Sequence, residues 1–214
     1  MPKRHRMPTL LLTGFAPFGG DATNPSWQAV SRLHGRQVIG HRIVARELPT
    51  AFGAATQSLR KAMRDVRPRL VICVGLASGR SALSLERVAI NVDDARIPDN
   101  AGMQPIDVAV VRDGPAAYFS TLPIKAMLAA LREAGLPAEV SQTAGTFVCN
   151  HVFYGLMHAL RHRPAVRGGF IHVPYPAPDG AGFDLARMSE GLRIALRTAL
   201  QTPRDLRIAG GNEY

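Results

Sequence analysis

Leu70-Val71-Ile72-Cys73-Val74-Gly75 (LVICVG) is an unbroken apolar run, closed off by Pro68 on one side and by the turn Ala77-Ser78-Gly79-Arg80 on the other. A short run without polar alternation is the mark of a strand covered on both faces, as in a parallel sheet flanked by helices. The neighbouring segments agree. Ala51 to Arg67 is a helix that stops before Pro68, and His41 to Leu48 (HRIVAREL) alternates polar with apolar residues as a strand does. Thr9 to Gly14 (TLLLTG) is a buried first strand; it runs into a loop, and a helix starts near Ser26 after Asn24-Pro25.

On the carboxyl side, Arg87 to Val92 (RVAINV) is expected to be a strand, and Val108 to Arg112 a short edge strand. Pro123 to Ala134 is helical and stops at Gly135. Ala138 to Gln142 is a strand leading into another helix, Gly168 to Val173 (GGFIHV) is the last core strand, and Phe183 to Leu200 closes the chain as an amphipathic helix. Strands alternating with helices predict an α/β fold: a single three-layer α/β/α domain over residues 1–214 with a largely parallel, twisted central sheet. Residues 1–8, with the basic tail Lys3-Arg4-His5-Arg6, and about 203–214 are expected to be mobile. There is no internal repeat and no linker.

With 214 residues the chain suits one well-buried domain. The net charge of +10 and pI near 10.7 raise nucleic-acid binding, but the basic residues are scattered and no aromatic-interleaved basic stripe occurs. No nucleic-acid partner is expected. No apolar run approaches membrane-spanning length, and the N-terminus has no long apolar signal region, so no membrane association and a cytoplasmic setting are expected. Two cysteines without a spacing framework suggest a reducing compartment.

The chemistry gathers around Thr143 to Leu160, TAGTFVCNHVFYGLMHAL. A small-residue turn opens an amphipathic helix with Val148, Val152, Leu156 and Leu160 on one stripe. Cys149 falls in its first turn, where free backbone N–H groups and the helix dipole favour a thiolate. Cysteines are also common core residues, so a catalytic role needs partners. His172, at the end of the strand FIHV, is suited to a general base, or is a hydrogen-bonded structural histidine. Glu86 is either a carboxylate that orients an imidazole or a surface acid paired with Arg87 or Arg80.

His151 is two residues beyond Cys149 on a helix and faces away from it. His158 and His162 share a helix face, but no carboxylate completes a metal site. Cys73 reads as inert core. Phe15 and Phe18, flanking a proline in the loop after the first strand, either plug the core or wall a flat uncharged ligand. Arg96, in the charged loop Asp93–Asn100, could reach a developing oxyanion.

Taken together, TGFAPFGG, NPSW, GRSALSLERVAINVDDARIPDNAG, TAGTFVCNHVFYGLMH and GFIHVPY resemble, in order and over most of residues 9–176, the pyroglutamyl peptidases, cysteine peptidases that remove N-terminal pyroglutamate. The resemblance implies a Cys149–His172–Glu86 triad working through an acyl-enzyme, with no metal and no organic cofactor. It implies ring-binding positions at Phe15, Phe18, Phe147 and Val148, a polar one at Asn24, and Arg96 near the oxyanion. It also implies a homo-oligomer, a dimer or tetramer. One departure stands out. Where the family reads GQAGGR this chain reads Gly75-Leu76-Ala77-Ser78-Gly79-Arg80, so Leu76 replaces a glutamine understood to hydrogen-bond the lactam. Altered ring specificity, as in a related cysteine hydrolase or acyl transferase, is the alternative this opens.

Overall fold

In the computed structural model, which describes residues 7–177 and 182–211, the run LVICVG lies at the centre of a seven-stranded sheet. The elements are β1 (Thr9–Phe15), α1 (Pro25–Ser31), β2 (Gln37–Val38), β3 (His41–Leu48), α2 (Ala54–Val66), β4 (Leu70–Leu76), β5 (Leu83–Glu86) and β6 (Val88–Ile90). After these come β7 (Ala117–Phe119), α3 (Ile124–Glu133), β8 (Ala138–Ser141), α4 (Val148–Leu160), β9 (Arg167–Val173) and α5 (Leu185–Gln201). The sheet order is β2-β3-β1-β4-β9-β5-β8. β3, β1, β4 and β9 are mutually parallel, β5 pairs antiparallel with β9, and β8 pairs parallel with β5.

Alternate residues of β4 feed two different cores, which is why its sequence shows no polar face. Leu70, Ile72 and Val74 pack with Ala29, Val30 and Leu131 beneath α1, α3 and α5. Val71 and Cys73 join Leu59, Val152, Phe153 and Phe170 beneath α2 and α4. Both faces of the strand leave water, so the three-layer, largely parallel α/β architecture follows from hydrophobic burial on each side.

Two sequence expectations are corrected. The main-sheet strand in the middle of the chain is Leu83–Glu86, not Arg87–Val92. Its Leu83 and Leu85 point into one core while Ser84 and Glu86, both fully buried, face the other side, so the polar residues masked a period-two pattern. From RVAINV only Val88–Ile90 is extended, and it pairs with Ala117–Phe119 in a separate two-stranded sheet. Val108 to Arg112 forms no strand; Val108 makes a single bridge to Asp93.

Residues 1–6 and 212–214, where mobility was expected, lie outside the described residues. The segment 203–211, also expected to be mobile, makes defined contacts. The Asp205 carboxylate accepts from the backbone N–H groups of Lys125 (3.1 Å) and Ala126 (2.9 Å) at the start of α3, and Arg87 Nη2 donates to the Gly210 carbonyl at 3.2 Å.

Candidate active site

β1, β4 and β9 end side by side, and the turn before α4 sits above them, so strand ends and a helix N-terminus meet at one edge of the sheet. At the end of β1, Phe15 N donates to Ser26 Oγ at 3.0 Å. Asn24 caps α1: its Oδ1 accepts from the N and Oγ of Ser26, while Nδ2 donates to the Ala16 carbonyl at 3.1 Å. Those bonds hold the Phe-Ala-Pro-Phe loop against the first helix.

Cys149 is the second residue of α4 and half-buried. Its Sγ rests on the glycine of β4: a β-carbon at Gly75 would stand 2.8 Å from it. Gly75 is in register with His172 on β9. His172 therefore belongs to the strand position beside the one that carries the sulfur, on the face shared with Phe170, whose ring lies 4.8 Å from the imidazole.

The expectation of a stabilised thiolate meets an opposing effect. Desolvation pushes the Cys149 thiol up to about 12; the Glu86 carboxylate and Cys73 act in the same direction, and Arg80 opposes them. Burial thus works against the helix N-terminus, and a base beside the thiol would favour its ionisation.

Glu86 is fully buried, not a surface acid. Its Oε1 accepts from His172 Nδ1 at 2.7 Å and from Arg80 Nη1 at 2.7 Å. A carboxylate so engaged can only accept, so the proton sits on Nδ1 and Nε2 is left as the basic nitrogen. Arg80, not singled out as a site residue from the sequence, also donates through Nη2 to the Thr143 carbonyl at 3.1 Å. The signal was present in Arg80-Ser81-Ala82-Leu83-Ser84-Leu85-Glu86, but only the turn into β5 brings the two ends together.

A cavity of about 340 Å³ opens in front of Cys149, large enough for a small ring and part of a chain. Phe15, Phe18, Asn24, Leu76, Phe147 and Val148 all line it, as the sequence suggested. Phe147 stacks its edge between Phe18 (centroids 5.3 Å) and Phe52 (5.2 Å), which makes one wall aromatic. Arg96 is exposed and is not part of the lining. It follows Asp94, whose backbone exchanges hydrogen bonds with Thr146 at 3.0 and 2.7 Å and so fastens the charged loop to the turn before α4.

The sequence did not reveal Thr50, Ser78, Asp21 and Tyr175 as lining residues. Tyr175 donates its hydroxyl to Asp21 Oδ2 at 2.7 Å across the rim, a bond that also raises the phenol's pKa. These four come from separate loops, with no shared motif to mark them.

His151 does point away, as expected. Its Nδ1 donates to Asp93 Oδ2 at 2.8 Å and its Nε2 accepts from Gly53 N at 3.1 Å, a buried tie between α4, the charged loop and α2. Among the described residues no group of three His, Cys, Asp or Glu could hold a metal ion, and no helix is long and apolar enough to cross a membrane.

A thiol, an imidazole with one fixed proton, a buried carboxylate and an apolar cavity are the parts of nucleophilic acyl transfer. Known proteins carry the same arrangement of sequence. The pyroglutamyl peptidase family model matches residues 8–201. A pyrrolidone-carboxylate peptidase of Cupriavidus taiwanensis is 59% identical over 213 residues, covering 96% of this chain and 99% of the relative. Pyrrolidone-carboxylate peptidase 1 of Ralstonia nicotianae is 57% identical with the same coverage. Among solved structures, pyroglutamyl peptidase I from Bacillus amyloliquefaciens superposes with a TM-score of 0.91 at 46% identity, over 95% of this chain and 100% of that one. Pyrrolidone carboxyl peptidase from Thermococcus litoralis gives 0.89 at 36% identity, over 95% and 100%.

Proposed function

Because this chain belongs to the pyroglutamyl peptidase family, we propose that it removes N-terminal pyroglutamate from peptides with Cys149 as nucleophile, His172 as base and Glu86 as the acid that orients it. The observation that carries the reading is the His172 Nδ1–Glu86 Oε1 bond of 2.7 Å, which leaves Nε2 basic beside the Gly75 position against which Sγ rests. As the thiol attacks the pyroglutamyl carbonyl carbon, Nε2 takes its proton. The tetrahedral oxyanion is met by the N–H groups that open α4, which have no acceptor within the helix. Collapse breaks the C–N bond, His172 returns the proton to the leaving amine, and a thioester remains. A water molecule, deprotonated by His172, then releases pyroglutamate and restores the thiol.

A lactam has no charge to pair, so its pocket calls for apolar walls and few polar contacts. In this reading Phe15, Phe18, Phe147 and Val148 flank the ring, Asn24 offers its remaining amide hydrogen, and Arg96 contributes charge from outside the cavity. A single domain is supported by two cores that share the strands of one sheet. Two free thiols suit a reducing cytoplasm. Exposed Ile106 and Phe119 suit burial in a homo-oligomer, which a light-scattering mass would test.

The decisive measurement is fluorophore release from a pyroglutamyl amide by wild type and Cys149→Ser. Turnover lost in the variant supports the reading. The second reading, a related cysteine hydrolase or acyl transferase with a different acyl group, is favoured by Leu76 in the cavity wall. It predicts no turnover of the lactam but activity within a panel of N-acyl amides.

A further inference from the structure

Glu86 is fully buried and asymmetrically used. Both of its hydrogen-bond donors, His172 Nδ1 and Arg80 Nη1, fall on Oε1 at 2.7 Å, while Oε2 is buried with no partner among the described residues. A buried carboxylate with only a neutral imidazole for company would carry most of an uncompensated charge. Arg80 supplies the compensation, and its side chain is about a quarter exposed, so water screens it only in part. The same guanidinium holds the Thr143 carbonyl with Nη2, at the start of the turn that leads to Cys149. One side chain thus touches both the acid that orients the base and the segment that carries the nucleophile.

We propose that Arg80 is a positioning residue that sets the protonation of the Glu86–His172 pair and locks it to the Cys149 turn. This rests on the reading of Cys149, His172 and Glu86 given above. The argument is one of net charge. With Arg80 present, ionised Glu86 and neutral His172 complete a neutral cluster, and a further proton would make it positive. Without Arg80 the pair is negative, and one proton, on either partner, makes it neutral. The protonated pair cannot serve as a base, so losing Arg80 moves the acid limb of activity to higher pH.

The other groups that face His172 do not substitute for Arg80. Ser84 of β5 stands in register with His172 and donates to Glu139 of β8 at 2.6 Å, and Cys149 of α4, with Cys73 of β4 close enough to act on its thiol, rests on Gly75, which is also in register with His172. None is a cation. Arg80 also opposes the rise in the Cys149 thiol, so its loss delays thiolate formation as well.

The experiment compares wild type, Arg80→Met and Arg80→Lys in two ways. One is kcat and KM for a pyroglutamyl amide against pH; the other is the pH dependence of Cys149 alkylation by iodoacetamide, read by mass. In Arg80→Met the acid limb and the onset of alkylation should both move up by about one pH unit, with kcat lowered and KM held. Arg80→Lys restores the charge but not the fork that reaches Thr143, so its limb should return to the wild-type position with a lower plateau.

An Arg80→Met profile that overlies wild type apart from its height would overturn the inference, as would an Arg80→Lys limb displaced like that of Arg80→Met. If Arg80→Met does not fold, the Arg80→Lys limb decides alone. If wild type leaves the pyroglutamyl amide intact, the peptidase reading fails, yet the alkylation profiles still judge the role of Arg80.

Discussion

Gly75 and Cys149 are in contact across the boundary between sheet and helix: a β-carbon on Gly75 would stand 2.8 Å from Sγ and 2.8 Å from Phe170 Cζ. Non-bonded carbon and sulfur do not approach so closely, so the absence of a side chain at this position is what lets the sulfur settle on β4. Its backbone needs nothing special, since Gly75 is an ordinary strand residue; the requirement is for space.

Gly75→Ala should therefore displace the nucleophile before it unfolds the chain. A shift of about 1 Å in a reacting group costs on the order of a hundredfold in rate, and overpacking of this kind costs about 1–3 kcal/mol of stability. kcat/KM on a pyroglutamyl amide should fall by about two orders of magnitude with a folded circular-dichroism spectrum. Retention of wild-type kcat/KM would show that the position of Sγ over Gly75 has no bearing on the reaction.

Leu76→Gln should tighten recognition of the lactam. Several polar groups of the cavity wall are already bonded to protein: Thr50 Oγ1 donates to the Ala16 carbonyl at 2.8 Å, Asn24 Oδ1 caps α1, and Tyr175 is bound to Asp21. An amide side chain at 76 would offer both a donor and an acceptor in a partly buried setting. One such bond is worth about 1–2 kcal/mol, roughly five- to thirtyfold. KM for pyroglutamyl substrates should drop by that factor and KM for simple N-acyl amides should not; an equal change in both would mean that residue 76 does not face the ring.

Removing the Asp205 carboxylate should weaken the fold and leave catalysis alone. α3 follows Pro123, which gives it no side-chain cap, and Asp205, far along the chain, accepts from the first free N–H groups, Lys125 and Ala126. A carboxylate there also meets the positive end of the helix dipole. Asp205→Ala should cost about 1 kcal/mol, lowering Tm by about 2–4 °C, with kcat/KM unchanged. An unaltered Tm would mean that water replaces the cap without loss.

That cap illustrates what the sequence could and could not convey. Strands such as Leu70–Gly75 and His41–Leu48 were legible because burial on one or both faces writes a period into the residues. β5 was not, because Ser84 and Glu86 turn a buried polar face toward the site and break the apolar pattern. The candidate triad and the aromatic wall were legible through motifs that resemble a family. Thr50, Asp21 and Tyr175 were not, since each acts through a partner that only the turn geometry supplies; Arg80 was legible as a partner of Glu86 but not as a site residue. For the thiol, the helix terminus is a local effect readable from position, whereas desolvation depends on how the strand ends close around it.

Cys73 gives the last prediction, on stability at alkaline pH. It is fully buried in β4, and burial pushes its thiol up to about 12, with the Thr13 hydroxyl pulling weakly the other way. In the unfolded chain a thiol ionises near pH 8.5–9. Between that value and about 12 the unfolded state has lost its proton and the folded state has kept it, so unfolding releases a proton and becomes easier as pH rises. The contribution is complete below about pH 9 and is lost progressively toward 12.

Cys73→Ala removes that linkage while leaving a small cavity. At pH 7 the variant should melt below wild type, by an amount on the order of 1 kcal/mol from lost packing. As pH is raised from 9 toward 11 the gap should narrow, because only wild type has a buried thiol at this position to ionise on unfolding. Comparing the two proteins cancels the titration of lysines, tyrosines and Cys149, which both retain. Thermal melts at half-unit steps of pH would settle the matter, and a gap that stays constant across the range would mean that the Cys73 thiol ionises alike in the folded and unfolded chains.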